Sequence, residues 1–247
     1  MPKTVVITGC SSGFGRQLAL NLARRGDRVF ATMRGTKGKN AVAAEELAEA
    51  ATREGLDLNV LELDVTSTAS VEAAAADILA EAGAPDAVIN NAGVMLTGFT
   101  EAFTAEEMTN QLDVNVVGIH RMNRAFLPAM RQRGRGLIIN LSSIAGRLSA
   151  PFFGVYHASK WAVEGYSMAL RGELACCGVD VVVVERDHSP PPCLTPAPSQ
   201  QTSTSAWLII PRSHAAPSRG SAMPSTACST IPTPPRIQTW SSRKSSP

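Results

Sequence analysis

Residues 4–15 read TVVITGCSSGFG, and this stretch decides the fold. A short β-branched run over residues 4–8 leads directly into three glycines within seven residues. Phe14, Leu18 and Leu22 then recur at helical spacing, so the pattern predicts a strand, a glycine turn and a helix. Such a turn lets the backbone approach a pyrophosphate at a helix N-terminus, although a tight turn that needs positive φ is the alternative. No Gly-Lys-Ser/Thr follows, which excludes a P-loop.

Strand and helix patterns alternate through the rest of the body of the chain. The strands are apolar on both faces and are separated by helices, which is typical of a parallel sheet covered on both sides. With right-handed crossovers this order predicts a doubly wound α/β sheet, the Rossmann fold, with its site at the carboxyl ends of the strands. The strands are predicted at 4–8, 28–33, 58–64, within 86–93, at 135–143 and at 179–185, and the later helices at 41–55, 70–83, 104–131 and 154–177.

The composition changes sharply towards the C-terminal end, so whole-chain averages are misleading. Twelve of the sixteen prolines lie at or after Pro190, and the last acidic residue is Asp187. Residues 1–188 carry 18 basic (23 minus 5) and 21 acidic side chains, so the overall charge of +2 comes from the end of the chain. We therefore expect a single domain over residues 1–186 and a Pro/Ser/Thr-rich tail over residues 187–247.

The charge and hydropathy patterns exclude several classes of protein. No basic stripe with interleaved aromatic residues indicates a nucleic-acid partner. The five cysteines have neither metal-ligand spacing nor a disulfide framework, so no metal site is expected. The first nine residues lead straight into a strand, and no apolar run approaches the ~18 residues of a membrane helix. The sequence therefore predicts a cytoplasmic protein without a membrane partner.

The end of the second strand has no acidic residue. A carboxylate there would hold the ribose 2′-hydroxyl of NAD and repel a 2′-phosphate. The sequence instead has Thr32-Met33-Arg34, and Arg34 can make charge-assisted hydrogen bonds to a phosphate, with the Ser12 hydroxyl adding one. NADP(H) is therefore favoured over NAD(H), unless Arg34 is simply a solvated loop residue.

Two further strand ends carry polar residues at the same edge of the predicted sheet. Asp64 ends the third strand, where it could accept a hydrogen bond from adenine or cap the helix that begins near Ser67. The run Asn90-Asn91-Ala92-Gly93 ends the fourth strand. We expect these small and amide residues both to stabilise the sheet edge and to pass close to the cofactor.

Tyr156 and Lys160, in the stretch YHASK, stand four residues apart and share one face of a predicted helix. A phenol has a pKa near ~10, and a nearby ammonium lowers that pKa if its charge outweighs desolvation, which would permit proton exchange at neutral pH. Ser143 follows the fifth strand and could hold the same carbonyl oxygen. Tyr-x-x-x-Lys alone also fits an ordinary helix surface, and its place in the order of elements is what gives it weight.

Four motifs in sequence resemble those of the short-chain dehydrogenase/reductase family. They are TGCSSGFG (8–15), NNAG (90–93), the serine pair at 142–143 and YHASK (156–160), and the resemblance covers residues 3–185. It implies an oxidoreductase that transfers a hydride between a nicotinamide cofactor and a carbonyl or secondary alcohol.

The resemblance also implies roles for individual residues. Tyr156 would be the general acid or base, and Lys160 would hold the nicotinamide ribose and depress the tyrosine pKa. Ser143, thirteen residues before the tyrosine, would polarise the carbonyl. Asn115 resembles the family's fourth catalytic residue, which positions a water linked to the lysine. The cofactor-binding residues so predicted are Gly9, Ser11, Ser12, Gly13, Phe14, Gly15, Arg34, Asp64, Val65, Asn91, Ala92, Gly93, Tyr156 and Lys160.

Partners follow from the same resemblance. Helices 104–131 and 154–177 form the subunit interface in this family, so a homo-oligomer through them is expected. An apolar small-molecule substrate is suggested by the residues expected beside the site, namely Val94, Met95, Leu96 and Phe152.

The resemblance ends at Glu185. The family continues with Pro-Gly, a mobile substrate lid, a helix and a seventh strand, whereas Arg-Asp-His-Ser-Pro-Pro follows here. One base added after the Glu185 codon permits a reading as Pro-Gly-Pro-Phe-Pro-Thr, which indicates a frameshift; a disordered interaction tail is the alternative. Either way we expect a sheet that is incomplete at its C-terminal edge. The alternative to an active enzyme is an impaired NADP-binding product that lacks the lid and the last strand.

Overall fold

The computed structural model describes residues 1–186, and the predicted tail over residues 187–247, with the frameshift interpretation attached to it, lies outside the described residues. Strands and helices alternate as the periodicity predicts. The strands are β1 (Thr4–Ile7), β2 (Arg28–Met33), β3 (Leu58–Glu62), β4 (Ala87–Asn90), β5 (Gly136–Ser143) and β6 (Val179–Arg186), and the helices are α1 (Gly13–Arg24), α2 (Ala41–Glu54), α3 (Thr68–Ala82), α4 (Ala105–Leu112), α5 (Gly118–Arg133) and α6 (Gly154–Leu174).

All six strands form one parallel sheet in the order β3-β2-β1-β4-β5-β6, which confirms the predicted doubly wound architecture. β1 pairs with β2 on one side and with β4 on the other, so the strand order reverses between β1 and β4. In such sheets the carboxyl ends of the strands leave a crevice at the point of reversal. The glycine turn after β1 and the asparagines at the end of β4 meet at this point.

The inner strands are buried on both faces. Val6, Phe30 and Ile138 have no exposed surface, as the continuous apolar runs of these strands predict. α1 and α2 cover one face of the sheet mostly with alanines, which let the helices approach closely, and with the fully buried Leu47. Truncating a leucine in such a position typically costs about 2–5 kcal/mol. α2 then ends at Gly55, which has the left-handed conformation (φ 64°) that glycine adopts without strain.

The prediction of one helix over residues 104–131 is wrong in one respect. The N-cap of α4 is Thr104, whose side chain forms a capping box with Glu107, but a π-helical turn over Asp113–Val117 separates α4 from α5. The N–H of Gly118 donates to the carbonyl of Asp113, five residues earlier. A Cβ on Gly118 would lie 2.9 Å from the Cβ of Val65, so this glycine lets α5 press against the loop after β3.

Other boundaries differ by a few residues. α6 ends at Leu174 rather than at residue 177, and β3 ends at Glu62, so that Asp64 belongs to the following loop. Within residues 1–186, β6 is an edge strand and no further strand pairs with it. None of the helices in this part of the chain combines the length and the apolarity that crossing a membrane requires.

Candidate active site

Two adjoining cavities lie at the carboxyl ends of the strands. The larger, of about 500 Å³, is formed by the glycine turn and by the loops that follow β2, β3 and β4. The smaller, of about 90 Å³, lies between β4, β5 and α6, and contains Tyr156 and Lys160. The larger cavity brings together the other twelve predicted cofactor-binding residues: Gly9, Ser11, Ser12, Gly13, Phe14, Gly15, Arg34, Asp64, Val65, Asn91, Ala92 and Gly93.

The glycine turn has a shape that fits the diphosphate of a dinucleotide. Gly9 has a φ of +74°, and a Cβ there would lie 2.8 Å from the Cα of Ala92, so the turn packs tightly against the end of β4. A Cβ on Gly13 would meet nothing within 4 Å, so the other side of the turn is open to the cavity. α1 begins at this residue, and its first N–H groups have no partner within the helix. Ser12, at the N-cap, makes no side-chain capping hydrogen bond to them.

The loop after β2 contributes two cations to the larger cavity. Arg34 and Lys39 both line it and both are exposed. The side-chain amide of Asn40 donates to the carbonyl oxygen of Arg34 (2.6 Å), which folds the loop back towards the strand end. The carboxylate of Glu62, on the neighbouring strand, accepts from the backbone N–H of Thr36 (2.6 Å) and is thereby engaged in the same loop. Lys39 was not predicted, because it approaches the site only through this fold of the loop.

Asp64 lies in the wall of the larger cavity and does not cap α3. One of its carboxylate oxygens accepts from the backbone N–H and the hydroxyl of Thr66, at 2.9 and 2.7 Å. The N-cap of α3 is Ser67, whose hydroxyl accepts from the N–H of Ser70. Of the two alternatives for Asp64, the structure therefore assigns the capping role to Ser67.

Asn91 ties the end of β4 to the glycine turn. Its side-chain amide donates to the carbonyls of Thr8 (2.8 Å) and Gly9 (3.1 Å), and its backbone N–H donates to the Thr8 hydroxyl (3.0 Å). Its neighbour Asn90 is buried and donates to Asn140 on β5 (2.8 Å). The NNAG motif thus stabilises the sheet edge and also lines both cavities, as expected from the sequence.

The smaller cavity holds the tyrosine and the lysine close to the end of β5. Tyr156 is hydrogen-bonded to the Ser143 side chain, and the Lys160 ammonium lies 5.7 Å from the centre of the tyrosine ring. The ammonium donates to the carbonyl of Leu141 at 2.7 Å. Of the serine pair it is Ser143 that contacts the tyrosine, whereas the Ser142 hydroxyl is buried without a hydrogen bond among the described residues.

The electrostatics of this cavity are dominated by burial. Burial raises the pKa of Tyr156, while the hydrogen bond with Ser143 and the charge of Arg186 act in the opposite direction. Burial, together with the smaller effect of the Arg186 charge, lowers the pKa of Lys160 to about 8, against the opposing effect of Glu164. The sequence led us to expect a depressed tyrosine pKa. In this structure the desolvation of the phenol outweighs the nearby positive charges.

Asn115 lies in the π turn and is almost fully buried. Its side-chain amide donates to the carbonyl of Val94 (2.9 Å) and to the Ser159 hydroxyl (2.9 Å), and its amide oxygen accepts from the Val94 N–H (2.8 Å). Asn115 therefore connects the loop after β4 to α6, beside Lys160. Its side chain braces both walls of the smaller cavity.

Two arginines near the smaller cavity were not predicted from the sequence. Arg186, at the end of β6, lines both cavities. Arg147 pairs with Glu164 on α6 (2.6 Å) and with Glu185 on β6 (2.7 Å).

His157, next to the tyrosine, holds the loop that follows β5. Its Nε2 accepts from the N–H of Ala150 (2.9 Å), so the proton is on Nδ1, which donates to the carbonyl of Ala145 (2.7 Å). Phe152, which was expected beside the substrate, is half exposed, packs edge-on against Phe99 and has a φ of 71°. Its position within YHASK was the available signal for the histidine, but its partners are set by the tertiary fold.

Comparison with known proteins places this site in a family. The profile of the short chain dehydrogenase family matches residues 3–204. A 3-ketodihydrosphingosine reductase from Bacteroides thetaiotaomicron is 39% identical over 184 residues, which are 74% of this chain and 63% of that protein. The chain spans between 53% and 69% of the length of the curated relatives that it matches.

Solved structures give the same result and include both nicotinamide cofactors. A metagenomic short-chain oxidoreductase in complex with NADP is 32% identical (TM-score 0.67), and the match covers 75% of this chain and 82% of that one. A short chain dehydrogenase/reductase from Burkholderia phymatum in complex with NAD is 30% identical (TM-score 0.70), with 76% and 67% covered. The sheet order, the two cavities and these matches together show that the chain belongs to the short-chain dehydrogenase/reductase family of oxidoreductases.

Proposed function

We propose that the chain is an NADP-dependent oxidoreductase that interconverts a carbonyl and a secondary alcohol by hydride transfer. The observation that carries the proposal is the cluster of Ser143, Tyr156 and Lys160 in a cavity that opens onto a dinucleotide-sized one. When bound, the nicotinamide supplies or accepts the hydride. Residues 1–186 form the domain that binds the cofactor and carries these groups.

The reacting groups have separable roles. The Ser143 hydroxyl donates to the carbonyl oxygen of the substrate and polarises it. Tyr156 gives that oxygen a proton in reduction and removes one in oxidation. Lys160 holds the ribose next to the nicotinamide. Asn115 joins the loop after β4 to α6 through Val94 and Ser159. The segment that contains Asn115 positions a water linked to Lys160.

A preference for NADP(H) follows from the charges at one end of the larger cavity. Arg34 and Lys39 supply two cations for a 2′-phosphate. The carboxylate of Glu62, at the end of the neighbouring strand β3, accepts from the N–H groups of Gly35 and Thr36. It is thus turned away from the role of a ribose ligand. Titration with NADPH and with NADH, followed by nicotinamide fluorescence, tests this preference.

An apolar carbonyl or alcohol is the proposed substrate class. Val94, Met95 and Leu141 line the smaller cavity beside Tyr156. A relative at 39% identity is named for reducing a ketodihydrosphingosine, which is a long-chain molecule. Reduction assays with a long-chain ketone and with a short hydroxylated ketone compare the two kinds of substrate.

A second candidate, an NADP-binding protein with impaired turnover, is favoured by a specific contact. The Ser143 hydroxyl donates to the carbonyl of Arg186 at 3.2 Å. That proton is the one needed by the substrate carbonyl, so the contact at the end of β6 competes with catalysis. Binding of NADPH without carbonyl reduction would support this candidate.

The decisive experiment combines NADPH titration with a carbonyl-reduction assay on the full chain. Wild-type protein that binds NADPH and turns over, beside a Tyr156→Phe variant that binds equally well and is inactive, supports the enzyme. A Tyr156→Phe variant that keeps the full rate would remove the tyrosine from the mechanism. His120→Gln is a suitable control, since this exposed histidine lies on α5 and contacts Tyr166, away from both cavities.

We also propose a homo-oligomer in the cytoplasm. Exposed apolar side chains occur on both helical stretches that the family uses as an interface: Met108 and Val117 on the first, Trp161 and Met168 on the second. Light scattering after gel filtration, with Trp161→Glu as the disrupting variant, tests the assembly, and microscopy of a tagged chain tests the location.

A further inference from the structure

Arg186 links the two cavities of the site. It is the last residue of β6 and the only arginine that lines both the larger and the smaller cavity within residues 1–186. Its backbone carbonyl accepts from the Ser143 hydroxyl. Its guanidinium carbon lies 5.9 Å from the ring centre of Phe14, which belongs to the glycine turn. The side chain therefore reaches from the catalytic end of the site back to the N-terminus of α1.

The positive charge of Arg186 is directed into the site. Its charge lowers the pKa values of both Tyr156 and Lys160. The contact of a guanidinium with the face of an aromatic ring at this distance also restrains its position.

The larger cavity is thus basic at both ends. Arg34 and Lys39 lie after β2, and Arg186 lies on the opposite side of the glycine turn. Between them are the first N–H groups of α1, which attract negative charge. A dinucleotide with a phosphate at its 2′ position and a diphosphate in its middle matches this order of positive groups.

We propose that Arg186 is an anchor for the diphosphate of the cofactor and closes the side of the larger cavity that faces the catalytic groups. The proposal rests on the proposed function, because it takes the ligand to be NADP(H). A guanidinium makes paired hydrogen bonds to phosphate oxygens, and such charge-assisted bonds are stronger than those of the backbone N–H groups alone. Arg186 therefore adds to affinity at the diphosphate and not at the adenine end.

Three ligands separate these regions of the cofactor. NADPH contains the 2′-phosphate, the diphosphate and the nicotinamide. 2′-phospho-ADP-ribose keeps the 2′-phosphate and the diphosphate but lacks the nicotinamide, and adenosine 2′-monophosphate lacks the diphosphate as well. Their affinities for wild-type protein and for the Arg186→Gln variant are measured by calorimetry on the full chain. We expect the variant to bind NADPH and 2′-phospho-ADP-ribose about 10- to 100-fold more weakly, and adenosine 2′-monophosphate within twofold of wild type.

Two further variants complete the design. Arg186→Lys keeps the positive charge but lacks the planar guanidinium group with its paired donors. We expect it to bind NADPH and 2′-phospho-ADP-ribose more tightly than Arg186→Gln and more weakly than wild type. Arg53→Gln removes an exposed arginine on α2, outside the cavities, and should leave all three affinities unchanged. Raising the ionic strength should weaken 2′-phospho-ADP-ribose binding more steeply in wild type than in Arg186→Gln. Circular dichroism checks that each variant is folded.

Several outcomes would overturn the inference. Unchanged binding of 2′-phospho-ADP-ribose by Arg186→Gln would show that the guanidinium does not contact the diphosphate. An equal loss for adenosine 2′-monophosphate would show that Arg186 supports the cavity as a whole instead. A wild-type chain that binds none of the three ligands would overturn the proposed function and the inference together, whereas wild-type binding without an effect of Arg186 overturns the inference alone.

Discussion

Replacing Lys160 by methionine is expected to stabilise the fold while it abolishes the proposed activity. Burial lowers the pKa of this lysine from 10.5 to about 8. At about 1.4 kcal/mol per pKa unit, the charged lysine destabilises the folded chain by about 3 kcal/mol. Methionine has a similar shape and no charge, but it loses the hydrogen bond to the Leu141 carbonyl, worth about 1 kcal/mol. The net gain expected at pH 7 is therefore about 2 kcal/mol.

The pH dependence gives this prediction a signature of its own. The folded pKa of Lys160 lies below the unfolded one, so between about pH 8 and pH 10.5 the unfolded chain binds more protons than the folded chain. Wild-type stability therefore rises with pH across this window, whereas the methionine variant lacks this contribution. The advantage of Lys160→Met should shrink by about 1 kcal/mol between pH 7 and pH 9.

The assay is urea unfolding followed by circular dichroism at both pH values, without cofactor. Lys37→Met is the matched control, since this lysine is exposed in the loop after β2, and its free energy of unfolding should stay within about 0.5 kcal/mol of wild type. If Lys160→Met is no more stable than wild type at pH 7, or if its advantage is the same at pH 9, the argument from burial is refuted.

Three other substitutions test separate parts of the site. Arg34→Glu should reverse the preference between NADPH and NADH, changing the ratio of the two affinities by at least about 100-fold; an unchanged ratio in fluorescence titration would contradict the role of the basic loop. Arg147→Met removes the cation paired with the buried Glu164 and should cost about 3 kcal/mol in urea unfolding, with Arg147→Lys as the milder control. Gly15→Ala places a Cβ against the side chain of Asn91 and should lower both stability and NADPH affinity, and a variant with wild-type values would show that the turn is not tightly packed.

The fold was largely predictable because local patterns and global architecture agree. The apolar runs of the strands and the glycines that end α2 and α3 are local signals, and both appear where the periodicity predicts them. The π turn at Asp113–Val117 was not predicted, since the apolar residues on either side of DVNVV continue at helical spacing. The turn leads into Gly118, which packs against Val65 on a distant segment, and such a tertiary contact is not visible in the local sequence.

The sequence identified residues of the two cavities where they belong to short motifs. The glycine turn and NNAG follow β1 and β4, whose carboxyl ends lie at the same edge of the sheet, and YHASK lies near the start of α6. Lys39 lines the larger cavity because the loop after β2 folds back, and Arg186 lines it because β6 ends there. Neither residue belongs to a sequence motif that would have indicated this. The direction of the pKa shift of Tyr156 could not be predicted from the sequence either. It depends on the balance between burial and nearby charge, which is determined by the packed structure.

The π turn also determines where this chain can lose a residue. Gln111 and Ile119 are both buried although they stand eight residues apart, which in a regular α-helix would separate them by about 80° around the axis. The wider turn absorbs one residue and brings the two side chains to within about 20° of the same line. A single deletion inside the turn would keep the inward faces of α4 and α5 in phase, whereas a deletion within α5 would rotate its remaining residues by about 100°. A deletion in the turn would therefore change the position of Asn115 while the packing of α4 and α5 is kept.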